Sequence, residues 1–127
     1  MLKIIKKEKE NFGKDFPDIN ILNADKLYIL YLDKKEIGYA SINESDKYHK
    51  IVICILKEQQ GNGYGTYLFR EMLKEINQEF ELAVDIDNYK MIRIITRCGG
   101  KELGRNGKEV FFLIPKYHDS NNKKDNV

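Results

Sequence analysis

The chain has 127 residues, enough for one core and one site but not for a cofactor domain beside a separate substrate domain. Its 22 basic and 20 acidic side chains nearly cancel, so it lacks the excess charge that drives generic binding to phosphate backbones, and no nucleic-acid partner is expected. No apolar run approaches the roughly 18 residues of a membrane span, and the start lacks the apolar centre of a signal peptide, so the expectation is no membrane partner and a cytoplasmic location.

Leu2 to Lys6 reads as a short strand. Lys3, Lys6, Lys7 and Lys9 are interleaved with Ile4, Ile5 and Glu8, which suits a solvated sheet edge better than a basic arm. Glu10 to Asn23 carries Phe12, Phe16 and Ile19 at helical spacing but is interrupted by Gly13 and Pro17, so a short helical region is predicted. From Lys26 the period changes to two, giving a strand at Leu27 to Leu32, a turn at Asp33 to Glu36 and a hairpin partner at Ile37 to Ile42. After the polar stretch Asn43 to Lys50, the apolar run Ile51 to Leu56 predicts a central strand covered on both faces.

Thr66 to Gln78 places Leu68, Phe69, Met72, Leu73 and Ile76 on one stripe of an amphipathic helix. Leu82, Val84 and Ile86 alternate with Ala83, Asp85 and Asp87 in a further strand. Asn88 is a good N-cap for a second helix with Met91, Ile92, Ile95 and Cys98 inward, and Gly99 with Gly100 supplies its left-handed stop. Lys101 to Arg105 and Val110 to Tyr117 form a closing hairpin, and the intervening Asn106 and Gly107 suit a type I′ turn. The order predicts one mixed sheet with helices packed on its faces, a single domain over residues 1–118, and a polar, disordered tail from Asp119 to Val127.

The two cysteines, Cys54 and Cys98, stand in no CxxC pair and near no usable set of histidines. They read as buried, reduced thiols acting as small hydrophobes, with no metal and no disulfide expected. His49 and His118 give no local sign of pairing with either thiol.

The informative segment is IVICILKEQQGNGYGTYLFREM, Ile51 to Met72, in which a buried strand runs into a glycine-rich loop that opens a helix. Glycines at 61, 63 and 65 allow positive φ and close approach of a ligand, and a helix N-terminus favours an anion such as a diphosphate. A Walker loop requires Lys and then Ser or Thr after its last glycine, where this chain has Thr66 and Tyr67. The dinucleotide fingerprint requires Gly or Ala at Thr66 and no spacer such as Lys57 to Gln60. QxxGxG remains, with Gln60, Gly63 and Gly65, beside the plain alternative of a structural turn rich in glycine.

Strand, spacer, QGNGYG loop and helix together resemble the central motif of the GCN5-related N-acetyltransferase superfamily. A second block, LAVDIDNYKMIRIITRCGGKE, is similar to the strand and Asn-initiated helix that follow in that family, at Leu82, Val84, Asn88, Ile92, Gly99 and Gly100. The resemblance implies an α/β fold, a three-layer αβα sandwich around a mixed, mostly antiparallel sheet. It implies acetyl-CoA as cosubstrate and transfer of acetyl to a primary amine of a protein, peptide or small molecule, by a monomer or homodimer. Ile53, Cys54 and Ile55 would pair their backbone with the pantetheine arm; Gln60 and the loop Gly61, Asn62, Gly63, Tyr64, Gly65 and Thr66 would hold the diphosphate; and Asn88 would reach the coenzyme or serve only as a cap.

Two positions depart from the family pattern, since Ile95 stands where many members have a thiolate-protonating Tyr and Ala83 where some have a Glu base. Asp85 is the leading replacement base, with Asp87, His49 and Glu58 behind it, and Tyr89 and Tyr117 are candidate proton donors. A catalytically weak or inactive acyl-CoA-binding module is the alternative reading. Glu10 to Asp25 looks short for the paired helices that wall the acceptor side in this family, which implies an open acceptor groove.

Overall fold

The computed structural model describes residues 1–14, 16, 19–44 and 48–117. The predicted tail and Pro17 lie outside the described residues. Among the described residues seven strands form one sheet in the order β1-β2-β3-β4-β5-β7-β6. These are β1 (Leu2–Lys7), β2 (Lys26–Leu32), β3 (Lys35–Glu44), β4 (His49–Ile55), β5 (Phe80–Asp85), β6 (Lys101–Arg105) and β7 (Glu109–Ile114). All neighbours are antiparallel except β4 and β5, which are joined by a crossover through helix α2 (Tyr64–Ile76). Helix α3 (Tyr89–Arg97) links β5 to β6, and the one-turn helix α1 (Ile19–Leu22) precedes β2.

The alternation read from the sequence sorts the side chains onto two faces. On one face Tyr28, Leu30, Ile42, Leu82 and Phe112 meet Leu68, Phe69 and Met72 of α2 and Met91 and Ile95 of α3. Leu68, Phe69, Met72 and Ile95 are fully buried, and each such side chain contributes about 1.5–3 kcal/mol relative to exposure. On the other face Leu27, Ile29 and Tyr39 pack with Ile21 of α1, flanked by Phe12 and Phe16. The three-layer sandwich therefore holds, with its second helical layer reduced. Among the described residues of Glu10 to Asn23 the helical elements are a 3₁₀ turn at Lys9–Asn11 and the single turn of α1.

Several boundaries differ from expectation. β2 and β3 close on two residues, since Leu32 pairs with Lys35 and Asp33 takes a left-handed φ of 57°. β5 ends at Asp85, which leaves Ile86 and Asp87 in the turn before α3. The last hairpin has no type I′ turn, because neither Asn106 nor Gly107 adopts positive φ. Instead the Asn106 side chain accepts from the backbone N–H of Lys108 and of Glu109, each at 2.7 Å, so an Asx-type turn replaces the glycine-dependent one.

Candidate functional site

β4 is paired differently on its two edges. Against β3 the register runs without interruption from Glu44↔His49 to Gly38↔Ile55. Against β5 it comprises only His49↔Leu82 and Lys50↔Ala83, after which the strands part. A cleft of about 380 Å³ opens at the parting, with β4, the glycine loop and the first turns of α2 and α3 as its walls. The expectation of a strand covered on both faces is also corrected: Ile53 and Ile55 are half-buried, and Cys54, on the face it shares with Val52, is exposed. Cys54 is thus a cleft residue, not a core thiol. Cys98 is half-buried beside the main core, and burial pushes its thiol above the ordinary range.

Ten of the predicted site residues line this cleft: Ile53, Cys54, Ile55, Gln60, Gly61, Gly63, Tyr64, Gly65, Thr66 and Asn88. The loop is tied down from within. The Gln60 side-chain amide donates to the Ile55 carbonyl at 3.0 Å, and that of Asn62, which is not among the lining residues, donates to the Gln59 carbonyl at 3.1 Å. Gly61 and Gly63 take φ of 85° and 79°, and a side chain would be strained at both even though a Cβ would meet no heavy atom within 4 Å.

Gly65 was expected to need positive φ and does not. It lies inside α2, which begins at Tyr64 rather than Thr66. A Cβ on Gly65 would approach Ile94 Cδ1 to 3.1 Å and Ile53 Cγ2 to 4.0 Å, so this glycine serves the close packing of α2 against α3 and β4.

Both helix N-termini border the cleft. Gly63 caps α2 without a side-chain bond, and the first intrahelical bond runs from the Tyr67 N–H to the Gly63 carbonyl, 3.1 Å. The N–H groups of Tyr64, Gly65 and Thr66 therefore precede the helical ladder and carry the partial positive charge of the helix end. Asn88 caps α3, its Oδ1 accepting from the Met91 N–H at 3.1 Å. That bond leaves the side-chain NH₂ available on the cleft wall. Lys90 and Arg93 stand on the same wall and were missed by sequence reasoning. The signal available was a cation in the first turn of a helix whose first turn holds no acid.

The candidate acids and bases are not brought together there. Ala83 is 3% exposed and Ile95 fully buried, so both departures from the family pattern are apolar core positions. Asp85, exposed at the end of β5 opposite Glu109, does not line the cleft. Its charge is felt at Lys50, which pairs with Glu109 at 3.0 Å. That bond to Glu109, chiefly, raises the Lys50 ammonium above its ordinary range.

His49 stacks on Phe80 with ring centres 5.1 Å apart. It sits at the start of β4, about 20 Å along the strand from Ile55 at roughly 3.3 Å per residue. Glu58 is exposed in the 3₁₀ turn Lys57–Gln59, Tyr89 is 71% exposed, and the Tyr117 ring lies under the Lys74 ammonium at 5.4 Å. Among the described residues no carboxylate lines the cleft.

A family model described as the acetyltransferase (GNAT) family matches residues 3–99. The fold is similar to that of an N-acetyltransferase from Staphylococcus aureus Mu50, at 12% identity and a TM-score of 0.66 over 91% of this chain and 98% of that one. It is also similar to the ribosomal-protein-S18-alanine N-acetyltransferase of Escherichia coli, at 16% identity and 0.67 over 94% and 96%. A third similar structure is yncA from Salmonella typhimurium with its cofactor acetyl-CoA, at 12% identity and 0.66 over 94% and 96%. No curated protein sequence matches the chain.

Proposed function

Because the chain belongs to the acetyltransferase (GNAT) family, we propose that it transfers the acetyl group of acetyl-CoA to a primary amine, with the cleft between β4 and β5 as the coenzyme site. The observation that carries this reading is the edge of β4 beyond Lys50, which β5 does not cover and which lies next to two positive helix ends. The residues fit the group. The pantetheine arm carries amides that can pair with the edge of β4 at Ile53 to Ile55 that β5 does not cover, as an added strand would, beside the Gln60 amide that already holds the Ile55 carbonyl. A diphosphate suits the leading N–H groups of α2, and a solved structure of similar fold holds acetyl-CoA.

The coenzyme supplies an activated thioester whose thiol, with an ordinary pKa of about 8.5 by analogy with Cys, leaves without a dedicated acid. The chain's share of the chemistry is positional. A backbone N–H on the open edge of β4 polarises the carbonyl, and the splayed strands hold the thioester where an amine can approach. The amine must arrive neutral, and Asp85, the leading candidate base, lies outside the coenzyme cleft.

A second reading, an acyl-CoA-binding module with weak or no turnover, is favoured by the buried apolar side chains Ala83 and Ile95, which stand where some family members have a base and many have an acid, respectively. Thiol release from acetyl-CoA with a panel of peptide, polyamine and small primary amines separates the two. Acceptor-dependent release supports transfer, and coenzyme binding with no release on any amine supports the module. A thermal-shift assay comes first: a Kd of about 10 μM at 1 mM coenzyme stabilises by about 2.7 kcal/mol, and no shift contradicts both readings.

A further inference from the structure

Lys90 and Arg93 are the charged residues of the cleft wall, and both are cations. Among the described residues neither has an ion-pair or side-chain hydrogen-bond partner, although the chain carries 20 carboxylate side chains that could have supplied one. Lys90 also stands in the first turn of α3, where the helix dipole disfavours a cation. A local rule broken without compensation inside a cleft marks a position fitted to a ligand. The two residues are three apart on one helix, so their Cβ atoms lie about 5–6 Å from each other and both can reach one small anion.

We propose, resting on the coenzyme reading above, that Lys90 and Arg93 form a subsite for the 3′-phosphate of coenzyme A and make this chain discriminate CoA from dephospho-CoA. The diphosphate is matched by backbone N–H groups on the α2 side, whereas Lys90 and Arg93 occupy the α3 side. With the pantetheine arm along β4 and the diphosphate at α2, the adenosine end falls on the solvent side of the cleft, toward the exposed side chains of Lys90 and Arg93 on its wall. The 3′ group is a phosphate monoester carrying about −1.5 to −2 charges at pH 7, the charge that two unpaired cations complement.

Calorimetric titration with CoA and with dephospho-CoA tests this on the wild type, on K90Q/R93Q, and on R97Q, which removes an exposed cation of α3 outside the cleft. CoA is expected to bind the wild type about tenfold tighter than dephospho-CoA, the worth of a charge-assisted contact to one phosphate. K90Q/R93Q is expected to bring the ratio to about one while dephospho-CoA affinity stays within about threefold, and R97Q to keep the wild-type ratio. Equal affinities in the wild type overturn the subsite and leave the coenzyme reading standing. So does a parallel loss of dephospho-CoA affinity in the double variant, or a collapse of the ratio in R97Q. Absence of binding by either ligand overturns both.

Discussion

The two edges of β4 are made of the same residues and do opposite things. Toward β3 the strand is paired along its length, with Gly38 against Ile55 and Ala40 against Ile53. Toward β5 pairing stops after Lys50, and Ile53 to Ile55 border the cleft. Residues 51–55 are therefore anchored to β3 on one side, while on the other the pairing with β5 has already ended. A rigid partner strand fixes the geometry that the open edge offers to a ligand, so the closed edge should answer to stability measurements and the open edge to binding measurements.

The largest expected effect lies on the closed edge. A Cβ at Gly38 would lie 2.7 Å from the Cys54 carbonyl oxygen and 2.7 Å from Ile55 Cδ1, and the backbone oxygen cannot move aside without breaking the ladder. Gly38→Ala should cost about 3 kcal/mol in urea unfolding and lose coenzyme binding along with stability. An unchanged urea midpoint would break the comparison.

Gly63→Val probes the open side. Its left-handed φ of 79° makes a β-branched residue costly by about 1–3 kcal/mol, while the surrounding space is free. The fold should persist and coenzyme affinity should drop about tenfold or more by titration, because the loop can no longer aim its N–H groups. Affinity equal to wild type would remove the loop from the site.

The cysteines sharpen the contrast without mutation. Cys54 is exposed on the cleft wall, whereas burial raises the Cys98 thiol and so lowers its thiolate fraction at pH 8. Timed alkylation followed by peptide mapping should label Cys54 several-fold faster than Cys98, and saturating CoA should slow only Cys54. The smallest effect concerns Lys50, whose pKa is raised by Glu109 in the folded state. Its contribution is complete below the ordinary lysine range of about 10.4 and is lost as pH rises through the higher folded value. For a half-exposed pair this amounts to a few tenths of a kcal/mol. Lys50→Met should flatten that alkaline part of the melting-temperature profile between pH 7 and 11.

Much of this architecture is legible in the sequence because it follows from periodicity. The alternation of Leu27 to Leu32, the stripe Leu68, Phe69, Met72 and Leu73, and the cap at Asn88 each appear where their local patterns place them. What periodicity cannot convey is where two strands separate. The run Ile51 to Leu56 is uniformly apolar, yet Cys54 is exposed and pairing with β5 ends at Lys50, long-range features that leave no mark on the run itself.

The glycine motif was readable as a motif but not glycine by glycine. Gly61 and Gly63 serve backbone conformation, and Gly65 serves helix packing against Ile94. Lys90 and Arg93 look like solvated helix charges until the fold places them on a wall that holds no carboxylate among the described residues. Asp85 illustrates the reverse case: strand alternation makes it a candidate base, and the structure sets it beside the Lys50–Glu109 pair, outside the cleft.

Amide hydrogen exchange with and without acetyl-CoA tests the central claim most directly. Saturating acetyl-CoA should slow exchange in peptides spanning Ile51 to Thr66 and Asn88 to Ile94, and leave Lys26 to Glu44, already locked in the β2–β3 ladder, unchanged. Protection that spares the Ile51 to Thr66 segment, or falls on another part of the chain, would contradict the assignment of the open edge of β4 as the coenzyme site.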